Sequence, residues 1–113
     1  MRTSNFNDGY LRIYKEKGNT TDFGAKKNIK TINDMVLIVK LAYEECSKRQ
    51  QDFDFAESKN RILSLKVKTR MYKDISNKYK VVIEKQLYDI VSYDIDRKNQ
   101  EVYFYLEEVR KLA

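Results

Sequence analysis

The sequence contains no proline and no histidine, only three glycines and a single cysteine, Cys46. Without histidine the common catalytic triads and imidazole metal sites are excluded, and Cys46 has neither a base to activate it nor a second soft ligand for zinc. Gly9, Gly18 and Gly24 form no phosphate-binding loop of the Walker type. We expect a non-enzymatic protein without cofactor or metal, because no nucleophile, base and stabilising group can be nominated together.

Long apolar runs are also missing. The longest uninterrupted run, residues 35–39, is far shorter than the roughly 20 residues that cross a bilayer. The N-terminus carries no charged-then-apolar leader, and one cysteine cannot form an internal disulfide. These features predict a soluble protein of a reducing cytoplasm, with no membrane partner.

The chain has 113 residues, of which 42% are hydrophobic and 35% charged. These values predict one globular domain over residues 1–113. The net charge of +6 favours a polyanion, either nucleic acid or an acidic protein surface, by long-range attraction. A surface that is simply rich in lysine is the alternative interpretation.

Apolar and polar residues alternate with period two in most of the chain, which is typical of half-buried strands. In residues 33–45 the alternation of apolar residues favours a strand, although Asn33 and Asp34 would equally suit the start of a helix. We predict a mainly β fold, a small antiparallel β-barrel or sandwich of about six strands, because closing or stacking the sheet hides its edges. The predicted strands cover residues 9–17, 33–45, 61–71, 79–84, 87–95 and 101–109.

Two segments interrupt this pattern. Residues 18–33 are polar and predict a long flexible arm. Residues 46–60 predict an inter-strand loop or a short helix, whose Phe53 and Phe55 we expect to dock on the core. Asp52, Asp54 and Glu57 in this segment are either a candidate cation site or, more simply, an acidic turn in solvent.

A basic stripe is predicted over residues 66–80. Lysine and arginine recur at every second position over residues 66–70 and continue into the next segment, so one face would carry Lys66, Lys68, Arg70, Lys73, Lys78 and Lys80. With Tyr72 and Tyr79 it suits a single-strand nucleic-acid surface, or else it is the solvated outer face of a barrel. Tyr103 and Tyr105 lie opposite an apolar face and are candidate interface aromatics.

Four segments follow one another between residues 34 and 112. They are a strand over residues 35–44, the connection SKRQQDFDFAES over residues 47–58, the basic strand and turn KVKTRMYKDIS over residues 66–76, and a closing run over residues 78–109 that contains the step Tyr88, Asp89, Ile90. In this order they resemble the head-tail joining, or head-closure, family of long-tailed bacteriophages. The sequence departs from the family at residues 84–87, where many members have glycine.

The resemblance implies a β-barrel-like virion protein of the head-tail connector, present in the host cytoplasm during assembly. Its partners would be other copies of itself in a ring, dodecameric by the resemblance, the portal or adaptor ring, a tail-completion or tail-terminator protein, and the packaged double-stranded DNA that passes through the channel. The ring would close the DNA channel and join the capsid to the tail.

The resemblance also assigns roles to the two interrupting segments. The arm over residues 18–33 would reach a neighbouring subunit or ring. A loop facing the channel would lie in residues 46–60, with the candidates Ser47, Lys48, Arg49, Asp52, Phe53, Asp54, Phe55 and Lys59. Two alternatives stay open, a small-barrel nucleic-acid-binding module and a neighbouring tail-completion protein.

Overall fold

The computed structural model describes residues 6–16 and 31–112, and strands make up most of this part of the chain. Its helices are one turn of 3-10 helix, Ile32–Asp34, and one α-helix, α1 (Gln50–Ser58). The strands are β1 (Gly9–Glu16), β2 (Met35–Cys46), β3 (Leu65–Arg70), β4 (Lys80–Ile83), β5 (Gln86–Asp96) and β6 (Glu101–Lys111). Within the described ranges no helix is both long and apolar enough to span a bilayer.

The six strands form one antiparallel sheet that closes on itself. Their order is β1-β2-β3-β6-β5-β4, and β4 pairs back with β1 through Arg12↔Val82, Ile13↔Val81 and Tyr14↔Lys80. The prediction of a small antiparallel β fold of about six strands is therefore confirmed, and closure of the ring distinguishes a barrel-like arrangement from two stacked sheets.

The interior of the ring is filled by the alternating apolar side chains that predicted the strands. Leu11 and Ile13 of β1, Val67 of β3 and Phe104 of β6 are fully buried in it. Side chains on successive positions of a strand point to opposite faces, so the period-two pattern directly selects these residues. The interior of the ring is thus occupied by apolar side chains.

β2 is a strand, as its alternating apolar residues predicted, but its alternation is broken once. Ile13 pairs with Val39 and Tyr14 with Leu37, so Ile38 is an extra residue in β2 that forms a bulge. The bulge moves Leu37 to the outer face beside Tyr14, and its side chain is 50% exposed. The expected single apolar face of this strand is thus divided between the interior and the exterior.

Two smaller apolar clusters lie outside the ring. One joins the start of β2 to the C-terminal end of the described chain through Tyr14, Met35, Val82, Leu87 and Leu112. The other lies beneath α1 and contains Ala56, Leu63, Val91 and Tyr105. Leu63 lies in the predicted strand over residues 61–71, but β3 begins at Leu65 and Leu63 packs under the helix instead.

Short turns connect the strands of the second half. The β4–β5 hairpin turns through Glu84 and Lys85, whose φ angles are 49° and 71°. The β5–β6 connection spans residues 97–100. Of the predicted arm over residues 18–33, residues 18–30 lie outside the described part of the chain, and the remainder enters the 3-10 turn.

Candidate functional site

The outer face of β3 carries the first half of the predicted basic stripe, and most of it is covered. Lys66 is 6% exposed and Lys68 is fully buried, whereas Arg70 is exposed. Side-chain alternation correctly placed these residues on the outer face of the ring. The expectation that this face is open to solvent, or to a partner, is wrong for Lys66 and Lys68, because α1 and the neighbouring strands cover them.

Lys66 is neutralised by the helix that covers it. Its Nζ lies 3.0 Å from Asp52 Oδ2, and both side chains are almost completely buried. The same ammonium lies 5.6 Å and 5.4 Å from the ring centres of Tyr103 and Tyr105. A buried cation of this kind is tolerated because a carboxylate and two aromatic faces replace its water.

Asp52 has two roles in this contact. Its Oδ2 also accepts a 2.9 Å hydrogen bond from the backbone amide of Arg49, which satisfies an N–H group at the first turn of α1. Burial acts to raise the pKa of Asp52, but the hydrogen bonds from the Arg49 amide and the Lys66 ammonium outweigh it and lower the pKa below its ordinary value. Asp52 therefore remains a carboxylate and holds the helix to β3.

Lys68 is enclosed in a second buried charge cluster. Its Nζ lies 3.4 Å from Glu44 Oε1 of β2 and 3.8 Å from Glu101 Oε1 of β6. The ring of Phe6 covers the ammonium at 6.0 Å. Cross-strand neighbours thus supply the opposite charges that make burial of this lysine possible.

The second half of the basic stripe is divided. Lys80 of β4 lies 2.6 Å from Asp89 of β5 and 4.0 Å from Glu16 of β1, so it is paired within the subunit. Lys73 and Lys78 are exposed in the connection between β3 and β4. The six residues of the predicted basic stripe therefore do not form one exposed surface. Arg70, Lys73 and Lys78 are the members of the stripe that are exposed to solvent.

The segment assigned to a channel loop is folded as α1 with a short exposed lead-in. Ser47, Lys48 and Arg49 precede the helix and are exposed. Asp52 and Ala56, four residues apart, form the face that docks on the ring. The prediction of a short helix or loop is confirmed, but Asp52 is directed at the subunit's own wall and not outward as a channel residue.

Phe53 and Phe55 do not dock on the core as expected. They are 40% and 44% exposed, because the docked face is set by Asp52 and Ala56 and the two rings project from its flanks. Lys48 Nζ lies 5.9 Å from the ring centre of Phe53, and Lys59 Nζ lies 4.7 Å from that of Phe55. Two aromatic rings edged by lysines are thus presented on the outside of α1.

Tyr103 and Tyr105 were expected to form an exposed aromatic face. Tyr105 is 8% exposed, and its hydroxyl donates a 2.8 Å hydrogen bond to Asp94 Oδ2. Burial, followed by this hydrogen bond, raises its pKa well above the ordinary value. Tyr103 is half-buried against the same cluster. The prediction is wrong for Tyr105, because α1 occupies the side of β6 that the sequence pattern left open.

A polar cleft of about 490 Å³ lies beside this contact and is lined by Arg49, Lys66, Asp94, Tyr103 and Tyr105, among others. Among its charged residues, Lys66 pairs with Asp52, and Asp94 accepts a hydrogen bond from Tyr105. In residues 6–16 and 31–112 no group of three or more possible metal ligands is found, and Asp52 of the candidate acidic cluster is used by Lys66. The cleft thus has aromatic walls and walls of mixed charge.

No protein-family model matches this chain. A search of curated proteins also returns no match.

Proposed function

We propose that this protein is a structural subunit of the bacteriophage neck, which forms a ring with other copies of itself, joins the portal or adaptor of a DNA-filled capsid to the tail and closes the DNA channel. The observation that carries the proposal is the docked helix α1. It is held on a rigid closed ring by Asp52 and Lys66 and leaves Phe53 and Phe55 outside. A rigid body with exposed aromatic rings suits assembly with other proteins.

The nucleic-acid alternative receives less support. The feature that suggested it was a continuous basic stripe, and Lys66, Lys68 and Lys80 of that stripe are paired with carboxylates of the same subunit. A residue already paired and buried cannot release counterions from a phosphate backbone. Protein contacts therefore explain the surface better than DNA contacts do.

The test is restoration of tail attachment to tail-less, DNA-filled capsids by the purified chain. Wild type is expected to bind the capsids and restore attachment. The double variant Phe53→Ser, Phe55→Ser should fold normally, since both rings are exposed, and fail to restore attachment. Val109→Ser on β6, which removes an apolar side chain of 40% exposure outside α1, is the matched control and should act as wild type.

Particle morphology separates head closure from tail completion. Capsids that lack a head-closure protein are expected to lose DNA and remain without tails. If capsids without this protein retain their DNA while the tails are defective, the role belongs to tail completion. If the wild-type chain does not bind portal-bearing capsids at all, the proposal is wrong.

A further inference from the structure

β2 is much longer than the strand that pairs with its outer edge. It pairs with β1 from Met35 to Tyr43, but β3 pairs with it only from Tyr43 to Cys46. β3 leaves the sheet after Arg70. Residues 35–42 of β2 therefore have a neighbouring strand on one side only, and no described residue makes a main-chain hydrogen bond to their second edge.

The inward-facing side chains of β2 are less buried than their partners on β1. Leu11 and Ile13 of β1 are fully buried in the ring. Their direct partners Leu41 and Val39 contact the same core cluster but are only half-buried. Both members of each pair face inward, and the half-buried members belong to β2, the strand whose second edge has no described strand partner. A strand placed there would cover these side chains.

The sequence of this edge is typical of a strand that pairs with another strand. Residues 35–42 read MVLIVKLA, which is apolar apart from Lys40, with no proline and no glycine. Natural edge strands are usually protected by several charges, proline, shortness or bulges. This edge has one charge and the single bulge at Ile38 in eight residues, and the rest of it is an acceptor for an added strand.

The charges beside the edge select the kind of strand. Lys40 pairs across β1–β2 with Arg12. Its Nζ lies 4.5 Å from the ring centre of Tyr10, but in the described ranges neither cation forms an ion pair with a carboxylate. Two cations directly opposite each other repel, and an acidic side chain on the next strand would relieve the repulsion. A second copy of residues 35–42 has no acidic residue to offer, so self-pairing does not satisfy Lys40.

We propose that residues 35–42 of β2 bind an extended segment of a different protein chain, in which apolar residues alternate with acidic ones, as an added strand. Its apolar side chains cover Val39 and Leu41, and an acidic side chain lies beside Lys40 on the outer face. The segment continues the line of β3 beyond Arg70. This inference does not depend on the assignment to the phage neck.

Two synthetic peptides with blocked termini test the proposal, one alternating valine with glutamate and one alternating valine with lysine. The full chain, labelled with ¹⁵N, is titrated with each, and amide exchange is measured residue by residue. The glutamate peptide is expected to bind more tightly than the lysine peptide, by roughly two- to fivefold per charge pair. It should slow amide exchange within residues 35–42.

Lys40→Glu should reverse the preference between the two peptides, because it changes the charge beside the added strand and leaves the main chain intact. Lys59→Glu, an exposed lysine next to α1, is the matched control and should keep the wild-type preference. Affinity without slowed exchange in residues 35–42, or a preference that Lys40→Glu does not change, would overturn the proposal.

The chain without peptide supplies a further outcome. If these amides are already protected in a concentration-dependent dimer, the occupant of the edge is a second copy. If they are already protected in a monomer, the chain covers its own edge. Either result would contradict binding of a different chain, and neither bears on attachment of tails to capsids.

Discussion

Lys66 of β3 and Asp52 of α1 form a buried ion pair with an Nζ–Oδ2 distance of 3.0 Å, and this pair joins the only α-helix of the described chain to the wall of the ring. Around it, Ala56 packs on Leu63, Val91 and Tyr105. The pair converts the segment between β2 and β3 from a loop into a fixed part of the subunit surface.

Removal of one partner of this pair should be more costly than removal of both. Asp52→Ala leaves the Lys66 ammonium buried without a carboxylate, and we expect a loss of about 3–5 kcal/mol in the free energy of unfolding. The double variant Asp52→Leu, Lys66→Met should recover most of that loss. Urea titration with the midpoint and slope compared among the three proteins is the measurement. Equal stability of Asp52→Ala and wild type would show that the pair does not hold the helix.

Stability should decrease in acid partly through Asp52. Its pKa in the folded chain is lower than the ordinary 3.8 of the unfolded chain, because hydrogen bonds from Arg49 and Lys66 outweigh the opposing effect of burial. The contribution of Asp52 to the free energy of unfolding is therefore fully present above the pKa that Asp52 has in the unfolded chain. It is lost as the pH falls through the pKa that Asp52 has in the folded chain. Asp52→Asn should show a shallower decline of stability below about pH 4 than wild type. Parallel curves for the two proteins would be inconsistent with a lowered pKa.

Charge reversals along the basic stripe should separate into two groups. Lys66→Glu and Lys68→Glu place a carboxylate beside buried carboxylates, and we expect both variants to be unfolded or severely destabilised. Lys73 and Lys78 are exposed, so Lys73→Glu and Lys78→Glu should each change the free energy of unfolding by about 0.5 kcal/mol or less. Circular dichroism during thermal unfolding distinguishes the groups.

The exposed pair of variants is also the appropriate test of DNA binding. If the double variant Lys73→Glu, Lys78→Glu abolishes tight DNA binding by a fully folded chain, the nucleic-acid function gains support. If DNA affinity is weak in wild type and barely changes, protein assembly remains the better explanation.

Residues that adopt a positive φ angle with less strain should increase the stability of the protein when they are placed in the β4–β5 turn. Glu84 and Lys85 adopt φ angles of 49° and 71°, which two-residue hairpin turns require and which Asn-Gly satisfies with less strain. Glu84→Asn with Lys85→Gly should stabilise the protein by about 1–2 kcal/mol. Arg97→Asn with Lys98→Gly is the matched control in the β5–β6 turn, where Gln100 is the residue with positive φ, and it should give no gain. A similar rise in melting temperature for both variants would exclude backbone strain as the cause.

The alternation of apolar residues alone was sufficient to predict most of the fold. Leu11, Ile13, Val67 and Phe104 alternate with polar residues and all lie in the core, because a strand directs successive side chains to opposite faces. The same reasoning located the helical interruption between β2 and β3. It did not locate the bulge at Ile38, because the extra residue is defined by the partner strand β1 and not by β2 itself.

The sequence by itself determined that the chain forms short antiparallel strands, that its interior is apolar and that histidine chemistry is excluded. These properties follow from local periodicity and composition. Only the tertiary structure decided which parts of the outer face are covered. Lys66 and Lys68 became buried because Asp52, Glu44 and Glu101, distant in the sequence, are brought beside them. Among the described residues, no strand pairs with the second edge of residues 35–42 in β2, because β3 ends at Arg70 before it reaches them. Alternation assigns a side chain to a face, and long-range packing determines what lies against that face.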